Sequence, residues 1–86
     1  VSELTVLAAL IQCEAGGESY EGQLAVGAVV MNRLRSGAYP NALQGVIYAS
    51  GQFTPALNGK VARVAENGPK ESCYQAAQEA FAGSRL

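Results

Sequence analysis

The chain has 86 residues, a net charge of −1 and 49% hydrophobic residues, enough for one small domain with one core and too few for two. Its six basic residues are scattered and form no nucleic-acid-binding stripe, and no apolar run reaches the roughly 18 residues of a membrane span. His and Asp are absent and the two Cys form no CxxC pair, which excludes imidazole-based triads and the common zinc sites and leaves any carboxylate chemistry to seven Glu.

Ser2 can cap a first helix that runs to about Glu14, with Leu4, Leu7, Ala8 and Ile11 on one apolar face. Gly16-Gly17 ends it. Ser19 caps a second helix with Glu21 in its first turn. This helix continues through the apolar run Leu24–Met31 to Ser36-Gly37, and its first half is expected to be buried nearly all round. Gly27 inside it predicts a close helix–helix approach. Asn41 caps a short third helix over residues 42–49. Residues 51–69, with Gly51, Asn58-Gly59 and Asn67-Gly68, read as a long loop with a bend at Asn58-Gly59. Pro69 fits the first position of a last helix whose apolar face is Cys73, Ala76, Ala77, Ala80 and Phe81, with Gly83 as its stop. The fold class is mainly α, with about four helices and a long loop, in a single domain over residues 1–86.

Glu14 closes an otherwise apolar helix, at the negative pole of the helix dipole. That position, together with an apolar surround, would favour a protonated acid, the form that donates a proton to a glycosidic oxygen. A solvated Glu at a frayed helix end is the alternative reading of the same position.

The stretch from Ile11 to Arg33, with Glu14-Ala15-Gly16-Gly17-Glu18, Tyr20-Glu21-Gly22-Gln23 and Ala25-Val26-Gly27-Ala28-Val29-Val30-Met31-Asn32-Arg33, closely resembles the opening of the SleB/CwlJ-type cell-wall hydrolases, the spore cortex-lytic family. Tyr39-Pro40-Asn41, Gly45-Val46-Ile47-Tyr48 and Gly51-Gln52-Phe53-Thr54 form a second similar block. The Ala-rich run Tyr74–Ala80 is a weaker third.

The resemblance implies a lysozyme-like fold of the lytic-transglycosylase kind and cleavage between N-acetylmuramic acid and N-acetylglucosamine in peptidoglycan. It places the catalytic acid at Glu14 and implies a 1,6-anhydromuramic product, with no metal and no cofactor. The implied partner is the glycan strand, met by a monomer that is secreted or held in the cell envelope or spore coat–cortex of a bacterium. Cortex and vegetative wall are both open as targets. Two rival readings are a water-dependent muramidase that uses Glu14 with Glu18, and a glycan-binding remnant without activity. Family domains continue past the last Ala-rich helix, so this chain is expected to be cut short on its C-terminal side.

Glu18 is the candidate for catalytic support, against roles in shaping the cleft or anchoring the loop. Gln52, Phe53 and Thr54 offer an amide, an aromatic face and a hydroxyl, the groups a sugar subsite needs. Tyr20, Tyr48 and Asn32 are further substrate-binding candidates. Tyr20 and Tyr48 can equally be partial core, and Asn32 a buried amide tying two segments. Arg33 reads as a structural hydrogen-bonding residue. Cys13 and Cys73 are either buried free thiols or a disulfide of an exported protein.

Overall fold

The computed structural model describes residues 2–36, Gly45, Ile47 and 59–83. Four helices are seen over these residues, and no strand occurs among them: α1 (Glu3–Ala15), α2 (Tyr20–Ser36), α3 (Lys60–Asn67) and α4 (Glu71–Phe81). α1 is the central element. It packs against each of the other three, and α4 packs in addition against α2.

α1 starts where the sequence predicts. The Ser2 backbone is extended, and its Oγ accepts a hydrogen bond from the Thr5 amide at 3.1 Å, which satisfies one of the free donors of the first turn. Because helices surround it, its middle is buried on every side: Leu7, Ala8, Ala9, Leu10 and Ile11 are fully inaccessible. Ser19 opens α2 in the same way, its Oγ accepting from the Gly22 amide at 3.2 Å.

The expectation that α2 is buried all round in its first half does not hold. Its buried residues are Gln23, Leu24, Gly27, Val30 and Met31, a single stripe at helical spacing, while Val29 is 43% exposed. Only α1 and α4 cover it among the described residues, and two helices can bury one face. Gly27 does mark a close approach. A Cβ built there would lie 2.9 Å from Ala80 Cβ and 3.2 Å from Ile11 Cδ1, so α1, α2 and α4 meet at one small residue.

Gly45 and Ile47 are helical and Ile47 is fully buried; the rest of the helix expected over 42–49 lies outside the described residues. The second half of the expected loop is corrected. Residues 60–67 form α3, with Val61, Val64 and Ala65 at i, i+3 and i+4 facing the core and Lys60, Arg63 and Glu66 turned outward. The glycines read as turns are the two ends of this helix. Gly59 stands at its N-cap with φ 76°, and Gly68 at its C-cap with φ 93°, donating to the Val64 carbonyl at 3.0 Å.

Pro69 is also corrected. α4 begins at Glu71 with Lys70 as its N-cap, so the buried Pro69 precedes the helix and does not occupy its first position. The predicted apolar face holds, with Cys73, Ala76, Ala77 and Ala80 buried and Phe81 half-buried. Gly83, with φ 93°, follows the C-cap Ala82 and ends the helix as expected.

The three-helix contact at Gly27 leaves no room for a branched side chain. Gly27→Val is expected to cost about 1–3 kcal/mol through overpacking, read as a lower urea midpoint at an unchanged slope, with the added Ala80→Gly recovering part of the loss.

Candidate active site

The candidate site is the C-terminal end of α1 and the turn that follows it. α1 finishes at Ala15, and the Gly16 amide still bonds back to the Gln12 carbonyl at 2.9 Å. The next residues leave the helix: the Glu18 amide bonds the Ala15 carbonyl at 3.0 Å, and the Gln23 side-chain amide holds the Glu18 carbonyl at 3.3 Å. Gln23 is buried and also accepts from the Cys73 thiol at 3.7 Å.

One residue outside this turn fixes it. The Lys70 backbone amide donates to Gln12 Oε1 at 2.7 Å, and Lys70 Nζ donates to the Gly16 carbonyl at 2.6 Å. The ammonium thus sits on an orphan carbonyl at the negative end of α1. Nothing in the sequence marks Lys70 for this role, because its partners lie more than fifty residues away.

Glu14 lies in the last turn of α1 and is exposed, with no hydrogen-bond or ion-pair partner among the described residues. The apolar surround expected for it is not supplied by those residues. Its neighbourhood is charged. Burial pushes the adjacent Cys13 thiol up, Glu14 and Cys73 push it the same way, and Lys60 and Arg63 of α3 pull it down. The Cys73 thiol is likewise raised, first by burial. Both thiols are free. A thiol raised in this way spends less of its time as the nucleophilic thiolate.

Glu18 is exposed and turns away from the axis of α1. A Cβ on Gly22 would lie 2.9 Å from Glu18 Oε1, so this carboxylate rests over the first turn of α2, at the positive end of its dipole. The Gly16-Gly17 turn breaks the i, i+4 relation that would put Glu14 and Glu18 on one helical face. Asn32 is exposed on the second half of α2, which removes the reading of it as a buried tie. Gln52, Phe53, Thr54 and Tyr48 lie outside the described residues.

Tyr20 is half-buried, and its hydroxyl donates to Glu79 Oε1 on α4 at 2.6 Å. Partial burial, then that bond and the charge of Glu79, push the phenol up to about 12. Tyr20 therefore belongs to a contact between α2 and α4 that sequence reasoning missed, since nothing local links residues 59 positions apart. No group of three metal-ligating side chains comes together among the described residues.

The cell wall hydrolase family matches residues 17–86. This chain belongs to that family. The match begins just past Glu14 and includes Glu18. The chain is 37% identical over 82 residues to a spore cortex-lytic enzyme of Bacillus subtilis (strain 168), covering 95% of this chain and 26% of that protein. Wherever a stretch of 82 residues starts in this chain, it includes residue 14. A spore cortex-lytic enzyme of Oceanobacillus iheyensis is 40% identical over 60 residues, 70% of this chain and 22% of that protein. The chain thus spans about a quarter of the length of these relatives.

Two solved structures share the fold. The catalytic domain of the germination-specific lytic transglycosylase SleB from Bacillus anthracis superposes with a TM-score of 0.81 at 33% identity, covering 95% of this chain and 64% of that one. The catalytic domain of the Bacillus cereus SleB protein gives 0.82 at 33% identity, covering 95% and 61%. The expected lysozyme-like helical fold is thereby established.

Lys70→Ala removes the clamp on Gly16 and leaves the backbone bond to Gln12. It is expected to lower stability by about 1 kcal/mol, the scale of one exposed charge-assisted hydrogen bond. Faster hydrogen exchange at the Gly16 and Glu18 amides checks it; unchanged protection there would show that the lysine does not hold the turn.

Proposed function

We propose that this chain is the catalytic part of a peptidoglycan-cleaving enzyme that cuts between N-acetylmuramic acid and N-acetylglucosamine with Glu14 as its acid. The observation that carries the reading is an exposed carboxylate, without a partner among the described residues, on a helix end that a distant residue clamps in place. Preorganised placement of this kind is what proton transfer to a leaving oxygen requires. Family membership and the similarity to spore cortex-lytic enzymes support the substrate class.

The reaction we infer is lytic transglycosylation. Glu14 donates its proton to the glycosidic oxygen as the bond from the muramic C1 breaks. The resulting carboxylate then accepts the proton of the muramic C6 hydroxyl, whose oxygen bonds to C1 and closes a 1,6-anhydro ring. The proton count balances with one carboxyl group, and no water enters. Glu18 acts in this scheme as an anchor of the α2 N-terminus, because its carboxylate lies over Gly22. A muramidase that needs Glu18 as a base beside Glu14 is less well served by that placement. We infer that the enzyme works as a monomer on exported glycan, in the envelope or spore cortex, with Gln52, Phe53, Thr54 and Tyr48 as sugar contacts and no cofactor.

Digestion of purified cortex and vegetative sacculi by the wild type and by Glu18→Gln, followed by mass spectrometry of the products, tests the reaction type. Anhydro ends from both proteins are expected. Reducing ends that carry added water and disappear in Glu18→Gln would establish the two-carboxylate muramidase instead, and intact sacculi from both would remove the enzymatic reading.

A further inference from the structure

The outward face of α4 carries Gln75, Gln78 and Glu79, and the C-cap Ala82 continues it at spacings of three and four, all exposed. Tyr20 rises beside them from the start of α2, and together these five residues line an open pocket of about 460 Å³. That volume falls within the roughly 300–1,000 Å³ of small-ligand sites. The lining is one aromatic ring, two primary amides, one carboxylate and a methyl group. Among the described residues it combines a flat apolar surface with several donors and acceptors, one of them the Glu79 carboxylate that already accepts from Tyr20. A neutral amino sugar presents the complementary set: an apolar ring face, hydroxyls and an acetamido group.

One wall of the pocket is held in place before anything enters it. Tyr20 donates to Glu79 Oε1 at 2.6 Å, which fixes the ring from one helix against the carboxylate from the other. The two helices are locked together by the Gly27–Ala80 contact and by Arg35 Nη2, which donates to the Ala80 carbonyl at 3.3 Å. Side chains already held in place lose little entropy on binding. Gln75 Nε2 makes only a long 3.5 Å contact to Glu71, which a ligand can replace. α1, with Glu14 at its end, packs on α4, whose inward side holds Cys73, Ala76, Ala77 and Ala80. The pocket faces outward from that packing.

We propose that this pocket is a second saccharide site, which holds N-acetylhexosamine units of a glycan strand apart from the bond being cut. The proposal rests on the reading of the chain as a peptidoglycan-cleaving domain. A polymer of repeating units can occupy both sites, and a second foothold raises the local concentration of strand at the first.

The test uses the whole chain carrying Glu14→Gln, so that sacculi are cut slowly or not at all, in cold co-sedimentation with purified peptidoglycan sacculi. Adding Gln78→Ala and Glu79→Ala is expected to weaken binding about fivefold or more, fivefold being the lower end for two lost net hydrogen bonds. Glu66→Ala on α3, which also removes one negative charge, is expected to leave binding unchanged. In parallel, titration of the Glu14→Gln protein with tetra-N-acetylchitotetraose should shift the side-chain amide resonances of Gln75 and Gln78. Equal sedimentation of the double variant, or shifts confined to the turn around residue 14, would overturn the proposal. Cleavage by Glu14→Gln would count against the catalytic reading alone, since every protein in the binding comparison carries that substitution.

Discussion

The site depends on how one helix end is held. A helix ends in carbonyls without intrahelical partners, and an end that frays cannot present a side chain at a fixed angle. Here the end of α1 receives two hydrogen bonds from a single residue, the Lys70 backbone to Gln12 and the Lys70 ammonium to Gly16. Lys70 is itself the N-cap of α4, so the end of one helix and the start of another are fixed at the same point. Glu14 lies between these two anchored residues, about half a turn from each.

The rest of the architecture serves the same arrangement. α1 is enclosed by three helices, which is possible in so small a chain only because its neighbours approach closely. Gly27 on α2 and Ala76, Ala77 and Ala80 on α4 supply the small surfaces for this approach. The aromatic residues do a different job. Tyr74 reaches from α4 to Thr5 with its hydroxyl at 3.1 Å, and Tyr20 reaches from α2 to Glu79. These long side chains tie the edges of helices whose centres are held by alanine. Among the described residues, these tyrosine bonds lie toward the rim, and the one buried polar residue, Gln23, is met inside by the Cys73 thiol of α4.

Features written in a few neighbouring residues were legible from the sequence. Ser2 and Ser19 as caps, the Gly16-Gly17 break, the close approach at Gly27 and the stop at Gly83 each follow from the chemistry of one or two residues, and each is present. α3 is hidden in the sequence because its two flanking glycines dominate a short stretch, and a turn signal outweighs three apolar residues in an eight-residue helix. Pro69 stands two positions before the first helical residue, the place its chemistry suggests, because Lys70, a poor cap by side chain, takes the N-cap through its backbone geometry. Glu14 was legible as a candidate from its place at the end of an apolar helix and from the family likeness. Its clamp by Lys70, the turn of Glu18 toward Gly22 and the pairing of Tyr20 with Glu79 were not, because each is a tertiary contact or a loop conformation that no spacing rule encodes.

The proposed mechanism requires Glu14 to act in chemistry while contributing little to the fold. An exposed side chain away from caps and pairs can usually be changed within about 0.5 kcal/mol of stability, whereas loss of a general acid removes about a hundredfold or more of rate. The direct measurement is therefore the pair of values for Glu14→Gln: the unfolding midpoint and the initial rate of glycan cleavage. A midpoint matching the wild type with cleavage reduced about a hundredfold or more is the predicted result. Cleavage at the wild-type rate from a stably folded Glu14→Gln protein would contradict it.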